Sequence, residues 1–229
     1  MEDIEKHLEL IITEDGSSSL RRNDLQEGYH STFGAISESK HIFIEAGLRK
    51  VGILPNINIL EIGFGTGLNA ILTLEFAIKE EQSIYYQTIE KYPLSKEITS
   101  ELNYGKILDL EKEFEKIHSL DWVRDYQLDQ YFTIHKIDKP AEELCFAKDF
   151  FHLIYFDAFA PQFEENLWTK AVFENIFLSL KEGGILVTYC CKGDVKRMLK
   201  SSGFQIEKLP GPKGKREILR AVKISKSLY

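Results

Sequence analysis

The 229 residues and 26.5 kDa, with 43% hydrophobic and 28% charged residues, 15 Gly and 6 Pro, exclude collagen-like, low-complexity and largely disordered chains and suffice for one principal core. No run of about 18 apolar residues exists to span a bilayer, and the start MEDIEKHLEL lacks a basic stretch leading into an apolar one, so a soluble cytoplasmic protein without a secretory leader is expected. The net charge of −7 is unevenly spread: 11 Lys/Arg stand against 3 Asp/Glu from Lys192 onward, and 18 against 33 before it. Such a basic block fits contact with a polyanion through phosphate neutralisation, or a solvated face that balances an acidic domain.

In chain order, LELIITEDGSSSLRRN carries Asp15-Gly16 between two strand candidates and predicts an N-terminal β-hairpin. Ser37-Glu38-Ser39 then starts a helix in which Ile42, Ala46, Leu48 and Val51 keep helical spacing up to Pro55. Ile57 to Ile62 is a short buried strand, followed by a glycine-rich turn and a helix from about Leu68 to Lys79. That order opens a βαβ unit. SIYYQTIEKYP is a further strand, ending in Glu90 and stopped by Pro93. Residues 95–130 are helical in pattern and too long for a plain crossover, and so form an insertion. YFTIHKID, HLIYFDAFAP and GGILVTYCC supply three more strands, with the helix LWTKAVFENIFLSLKEG between the last two. VKRMLKSSGF is a short helix with a Gly stop, and FQIEKL and EILRAVKI flank LPGPKGKR as a closing antiparallel hairpin. The expectation is one α/β domain over 1–229, with a doubly wound, mostly parallel sheet and antiparallel hairpins at both ends.

The candidate chemistry lies at strand ends. Glu61-Ile62-Gly63-Phe64-Gly65-Thr66-Gly67-Leu68-Asn69 sits where an open α/β sheet binds ligands. A dinucleotide fingerprint GxGxxG would need glycine at Leu68, whereas here the third glycine is Gly67 and an acid precedes the first by two residues. This spacing resembles motif I of class I S-adenosylmethionine (SAM) methyltransferases. SAM has a sulfonium cation and no phosphate, so an acid beside the glycines suits it better than a pyrophosphate. Glu90 is placed to accept ribose hydroxyls, and Asp138 the adenine amino group. Taken singly, the glycines also fit an ordinary tight turn and each acid a solvated loop.

Asp157-Ala158-Phe159-Ala160-Pro161 is the candidate reacting centre. A carboxylate can orient an acceptor amine and take its proton, and Phe159 offers a π face to the charge that forms. The plainer alternative has Asp157 capping a turn and Phe159 filling core. Cys145, Cys190 and Cys191 lack CxxC spacing, and the six histidines are scattered, so neither a disulfide framework nor a metal site is expected.

TEDGSSSL, YHSTFGAISESKHIFIEAGL, EIGFGTGLNA, Glu90, DAFAP followed by LW, and GGILVTY with SSGF and GKREIL together resemble the tRNA 5-methylaminomethyl-2-thiouridine methyltransferases, meaning the methyltransferase half of bifunctional MnmC and its stand-alone relatives. The resemblance implies SAM as cofactor and methylation of the aminomethyl group on a wobble uridine in tRNA. By position, Glu61, Gly63, Gly65, Gly67, Asn69, Glu90 and Asp138 would serve SAM, Asp157 and Phe159 the methyl acceptor, and Pro161, Lys213, Lys215 and Arg216 the tRNA side. The last three also fit a solubilising hairpin tip. No flavin fingerprint is present, so FAD chemistry is not expected and a separate enzyme would supply the aminomethyl substrate. Alternatives are methyl transfer to another amine, aminopropyl transfer of the spermidine synthase-like class, and a nucleotide-binding module without catalysis.

Overall fold

The computed structural model describes residues 2–224, so the last five residues of the chain, including Lys226 of the basic block, lie outside the described residues. Among the described residues eleven strands form two sheets: β1 Leu8–Ile12, β2 Ser18–Arg22, β3 Glu27–Gly28, β4 Ile57–Ile62, β5 Ile84–Ile89, β6 Asp125–Asp129, β7 Phe132–Ile137, β8 Phe151–Phe156, β9 Leu180–Thr188, β10 Gln205–Pro210 and β11 Glu217–Val222. The first three make a small antiparallel sheet in the order β1-β2-β3. The expected hairpin therefore gains a third strand, only two residues long. The other eight form one sheet in the order β10-β11-β9-β8-β4-β5-β7-β6. Its five central strands are parallel; β6 and β11 run antiparallel to them, and β10 pairs antiparallel with β11 at the edge.

β4 and β8 are mostly apolar and almost wholly buried because both sheet faces are covered there, β4 at all six positions, whereas β7, one strand in from the edge, alternates buried and half-buried residues. Five helices cover them: α1 (35–51), α2 Leu68–Lys79, α3 Glu111–Ser119, α4 Lys170–Ser179 and α5 Gly193–Ser201. Residues of α1, α2 and α3 fill one core, and Val172, Phe173, Ile176, Val195 and Leu199 of α4 and α5 fill the other. The doubly wound expectation holds. In the middle of α1, residues Lys40–Leu48 take the wider π winding. Gly47 lets this helix approach the sheet, since a Cβ there would stand 3.1 Å from Val187 Cγ2.

The TEDGS segment has a local purpose: it caps α1. The Ala35, Ile36 and Ser37 amides, which no helical carbonyl can serve, donate to Thr13 Oγ1, Ser17 Oγ and Asp15 Oδ2. The Asp15 carboxylate also accepts from the Ser17 and Ser37 hydroxyls. Despite partial burial, these hydrogen bonds hold its pKa well below the usual carboxylate range.

The insertion differs in part from expectation. Residues 96–119 hold three short helices, but Asp125–Asp129 is a strand paired with β7. Its sequence DYQLD lacks an apolar face because it is an edge strand, half exposed to water. The insertion is pinned by the buried Lys136, whose Nζ donates to the Ile117 and Leu120 carbonyls at 2.8 Å and lies 4.5 Å from the Trp122 ring centroid.

Candidate active site

Chain order reverses at β4: one branch runs outward through β5 and β7, the other through β8 and β9. In open α/β sheets ligands bind at such a switch point, beyond the carboxyl ends of the strands. Register sets the rest. Ile62 pairs with Ile89 and Phe156, and Ile89 with Ile137, so Gly63, Glu90, Asp138 and Asp157 all follow the same level of the sheet. A cavity of about 840 Å³ opens there, within the range typical of small-molecule sites.

Gly63 and Gly65 line this cavity, and both have positive φ. At Gly63 a Cβ would stand 2.5 Å from the Asp157 carbonyl oxygen, so only glycine lets the loop after β4 lie against the loop after β8. Glu90 lines the same cavity. Its carboxylate accepts from the Gly65 amide at 2.9 Å and the Tyr92 amide at 2.8 Å, which fixes it beside the glycine loop. Burial raises its pKa, and these backbone donors oppose the rise.

Asp157 lines the cavity on the other side of β4. Asn69 Nδ2 donates to its Oδ2 at 2.8 Å, and burial pushes its pKa up to about 7. Phe159 stands edge-on to Tyr29, with ring centroids 4.9 Å apart. The segment after Asp157 is tied down by the Trp168 indole N–H donating to the Phe159 carbonyl at 2.7 Å and by the Tyr189 hydroxyl donating to the Ala158 carbonyl at 2.9 Å.

Several sequence candidates stand elsewhere. Glu61 is wholly buried beneath the loop, accepts from Thr88 Oγ1 at 2.6 Å and does not line the cavity. Burial lifts its pKa to about 8, and its Oε1, like the Oδ1 of Asn69, has no hydrogen-bond partner. Gly67 is also buried, at the head of α2. A Cβ there would meet His118 of the insertion at 2.8 Å, so this glycine serves the turn and the packing of α3. His118 Nε2 further donates to the Thr66 carbonyl at 3.2 Å. Asp138 is exposed and Pro161 half-buried, both outside the cavity lining, while their neighbours Lys139 and Gln162 lie within it.

The basic hairpin tip divides. Lys213 pairs with Glu14 at 2.5 Å and Arg216 is exposed. Lys215 instead turns into the cavity, paired with Glu38 and 4.4 Å from the Tyr189 ring centroid. Sequence reasoning missed Tyr29, Glu38, Glu164 and Tyr189, which reach the cavity from four separate segments. Glu164 is raised to about 7 by burial and by the Glu90 and Glu142 carboxylates. In all, seven acids and four Lys/Arg line the cavity, which favours cationic ligands over anionic ones.

A glycine loop at the switch point, a carboxylate fixed at the next strand end and a cavity that favours cations define a nucleoside-binding site of the class I methyltransferase type. Glu90 keeps lone pairs for ribose hydroxyls, the glycine backbone is open to close approach, and the acid excess suits a sulfonium, so the residues present fit SAM. The chain belongs to a family of S-adenosyl-L-methionine-dependent methyltransferases, whose profile matches residues 106–224, just over half of the chain. The glycine loop precedes that match. The bifunctional protein MnmC of tRNA 5-methylaminomethyl-2-thiouridine biosynthesis from Leptospira interrogans is 32% identical over 207 residues, covering 83% of this chain and 32% of that protein. The protein of the same name from Cupriavidus metallidurans is 27% identical over 227 residues, covering 92% and 33%. The chain thus spans about a third of the length of these relatives. The fold is similar to MNMC2 from Aquifex aeolicus, with a TM-score of 0.74 at 24% identity over 93% of this chain and 70% of that one. It is also similar to spermidine synthase from Thermotoga maritima, with a TM-score of 0.60 at 14% identity over 94% and 68%.

Proposed function

We propose that this chain transfers the methyl group of SAM to the aminomethyl nitrogen on C5 of a wobble uridine in tRNA, giving the 5-methylaminomethyl form. The observation that carries this reading is the Asp157 carboxyl, set in the cavity beside Gly63 with a pKa of about 7. The names of the relatives supply the acceptor.

A primary alkylamine arrives as an ammonium ion, with a pKa of about 10 as in lysine, and has no lone pair until it loses a proton. A carboxylate with a pKa near 7 accepts that proton more readily than an ordinary one near 4. Asn69 holds Oδ2, which leaves Oδ1 to face the amine. Bound SAM supplies an activated methyl group. Gly63 and Gly65 would lend it backbone and Glu90 would hold the ribose, while Asp138, exposed just beyond the lining next to Lys139, would serve the adenine amino group. Outside the cavity, Lys213 and Arg216 contact tRNA phosphates, the Lys213–Glu14 ion pair being a surface pair of little cost to open. A separate enzyme makes the aminomethyl substrate.

The test is incubation with methyl-labelled SAM and tRNA carrying aminomethyluridine, followed by nucleoside analysis. Label is expected in 5-methylaminomethyluridine. Unlabelled nucleosides, or turnover of decarboxylated SAM with polyamines, would replace this reading.

A further inference from the structure

The small N-terminal sheet precedes the segment that the family profile matches, yet it forms one wall of the cavity. Tyr29 follows β3, its backbone N–H donating to the Leu20 carbonyl at 2.8 Å. Its ring closes the gap between the two halves of the site. On one side a Cβ at Gly65 would stand 3.3 Å from Tyr29 Cδ1; on the other the ring stands edge-on to Phe159 with centroids 4.9 Å apart. Tyr29 also lines the small hollow of about 30 Å³ between the glycine loop and Asp157. It therefore touches both the loop that carries the methyl donor and the loop that carries the acceptor carboxylate.

We propose that Tyr29, together with Phe159, forms an aromatic corner that recognises the positive charge of the methyl donor, so that this chain distinguishes SAM from the neutral product S-adenosylhomocysteine. The proposal rests on the methyltransferase reading of the same site. When the amine lone pair forms the new N–C bond, the S–C bond breaks with its electron pair passing to sulfur. The positive charge leaves sulfur and appears on nitrogen as a secondary ammonium, Asp157 having already taken the proton that freed the lone pair. Aromatic faces at this junction attract the cation before transfer and the ammonium after it, and they release a neutral thioether. Burial first, then the Glu90 and Glu164 carboxylates, keep the Tyr29 phenol protonated against the opposing charge of Arg22, whose guanidinium lies 5.9 Å from the Phe159 ring centroid. The ring thus stays neutral and its π face intact.

The test is calorimetric and needs no turnover, so it can fail while the transfer reaction itself stands. Affinities for SAM and S-adenosylhomocysteine are measured on the whole chain for the parent, Tyr29→Phe, Tyr29→Leu and Phe159→Leu. Tyr29→Leu should lose about three- to tenfold more affinity for SAM than for S-adenosylhomocysteine, and Tyr29→Phe should keep the parent's ratio. Phe159→Leu leaves the N-terminal sheet untouched and should move the ratio in the same direction, which decides the matter if Tyr29→Leu does not fold. Equal losses for the two ligands would mean that the rings only shape the wall, and a ratio lost in Tyr29→Phe would assign the effect to the hydroxyl. Either result overturns the proposal.

Discussion

Glu90 and Asp157 occupy equivalent places, one residue past the ends of β5 and β8 on either side of β4, and burial pushes both pKa values up. What differs is the company. Glu90 accepts two backbone amides, donors that cannot leave and that favour the anion. Asp157 has one side-chain amide and feels the nearby Glu38 carboxylate, so it comes to about 7. Identical placement thus yields a carboxyl fixed by backbone donors for holding hydroxyls and one poised to exchange a proton. The donors around a strand-end acid, more than its position, decide which task it performs.

The largest effect is expected where that division is broken outright. Asp157→Asn keeps size and polarity but removes the base, so turnover at neutral pH should fall about a hundredfold or more, with SAM affinity nearly unchanged by calorimetry. Loss of SAM binding in step with activity would merge the two roles. Next, Glu90→Ala should weaken SAM binding about tenfold or more, because the ribose loses an ionised acceptor. Circular dichroism should find the fold intact. Equal SAM affinity in mutant and parent would remove Glu90 from the site.

The sheet was legible because β4 and β8 are mostly apolar and β5, β7 and β9 are rich in β-branched and aromatic residues, each bounded by turns, and both Glu90 and Asp157 follow directly from where those strands stop. What was not legible came from distance. Tyr29, Glu38 and Tyr189 are ordinary in their own segments and meet only when the N-terminal sheet, α1 and the end of β9 converge on one cavity. Glu61 and Gly67 belong to the motif by spacing, but the strand pleat turns Glu61 into the core and the helix start turns Gly67 toward His118. Lys215 read as a surface cation because a charge count cannot reveal the Glu38 partner that draws it inward.

A smaller effect follows from Glu61. Its pKa is about 8 in the folded chain against an ordinary 4.5, so between these values the native state keeps a proton that the unfolded chain has released. Stability should therefore fall as pH rises from about 4.5 to about 8, and Glu61→Gln, neutral at every pH, should remove that part of the slope in denaturant titrations. An unchanged slope would mean that Glu61 is ionised in place. Smallest of all, replacing Lys213 and Arg216 by Ala should lessen the dependence of tRNA affinity on salt, by roughly 0.7–0.9 in the log–log slope for each phosphate left unneutralised. An unaltered slope would make the hairpin tip a solubilising surface.

The contrast between the two carboxylates is tested most directly by the pH dependence of methyl transfer to aminomethyluridine in tRNA, with parent and Asp157→Asn measured side by side. The parent's rate should fall below about pH 7, where Asp157 takes up its proton. In Asp157→Asn that limb should move up toward the amine's own pKa of about 10, so that the deficit shrinks as pH rises. A mutant that keeps the limb near pH 7, or that turns over at the parent's rate in neutral solution, would contradict the assignment of Asp157 as the acceptor-side base.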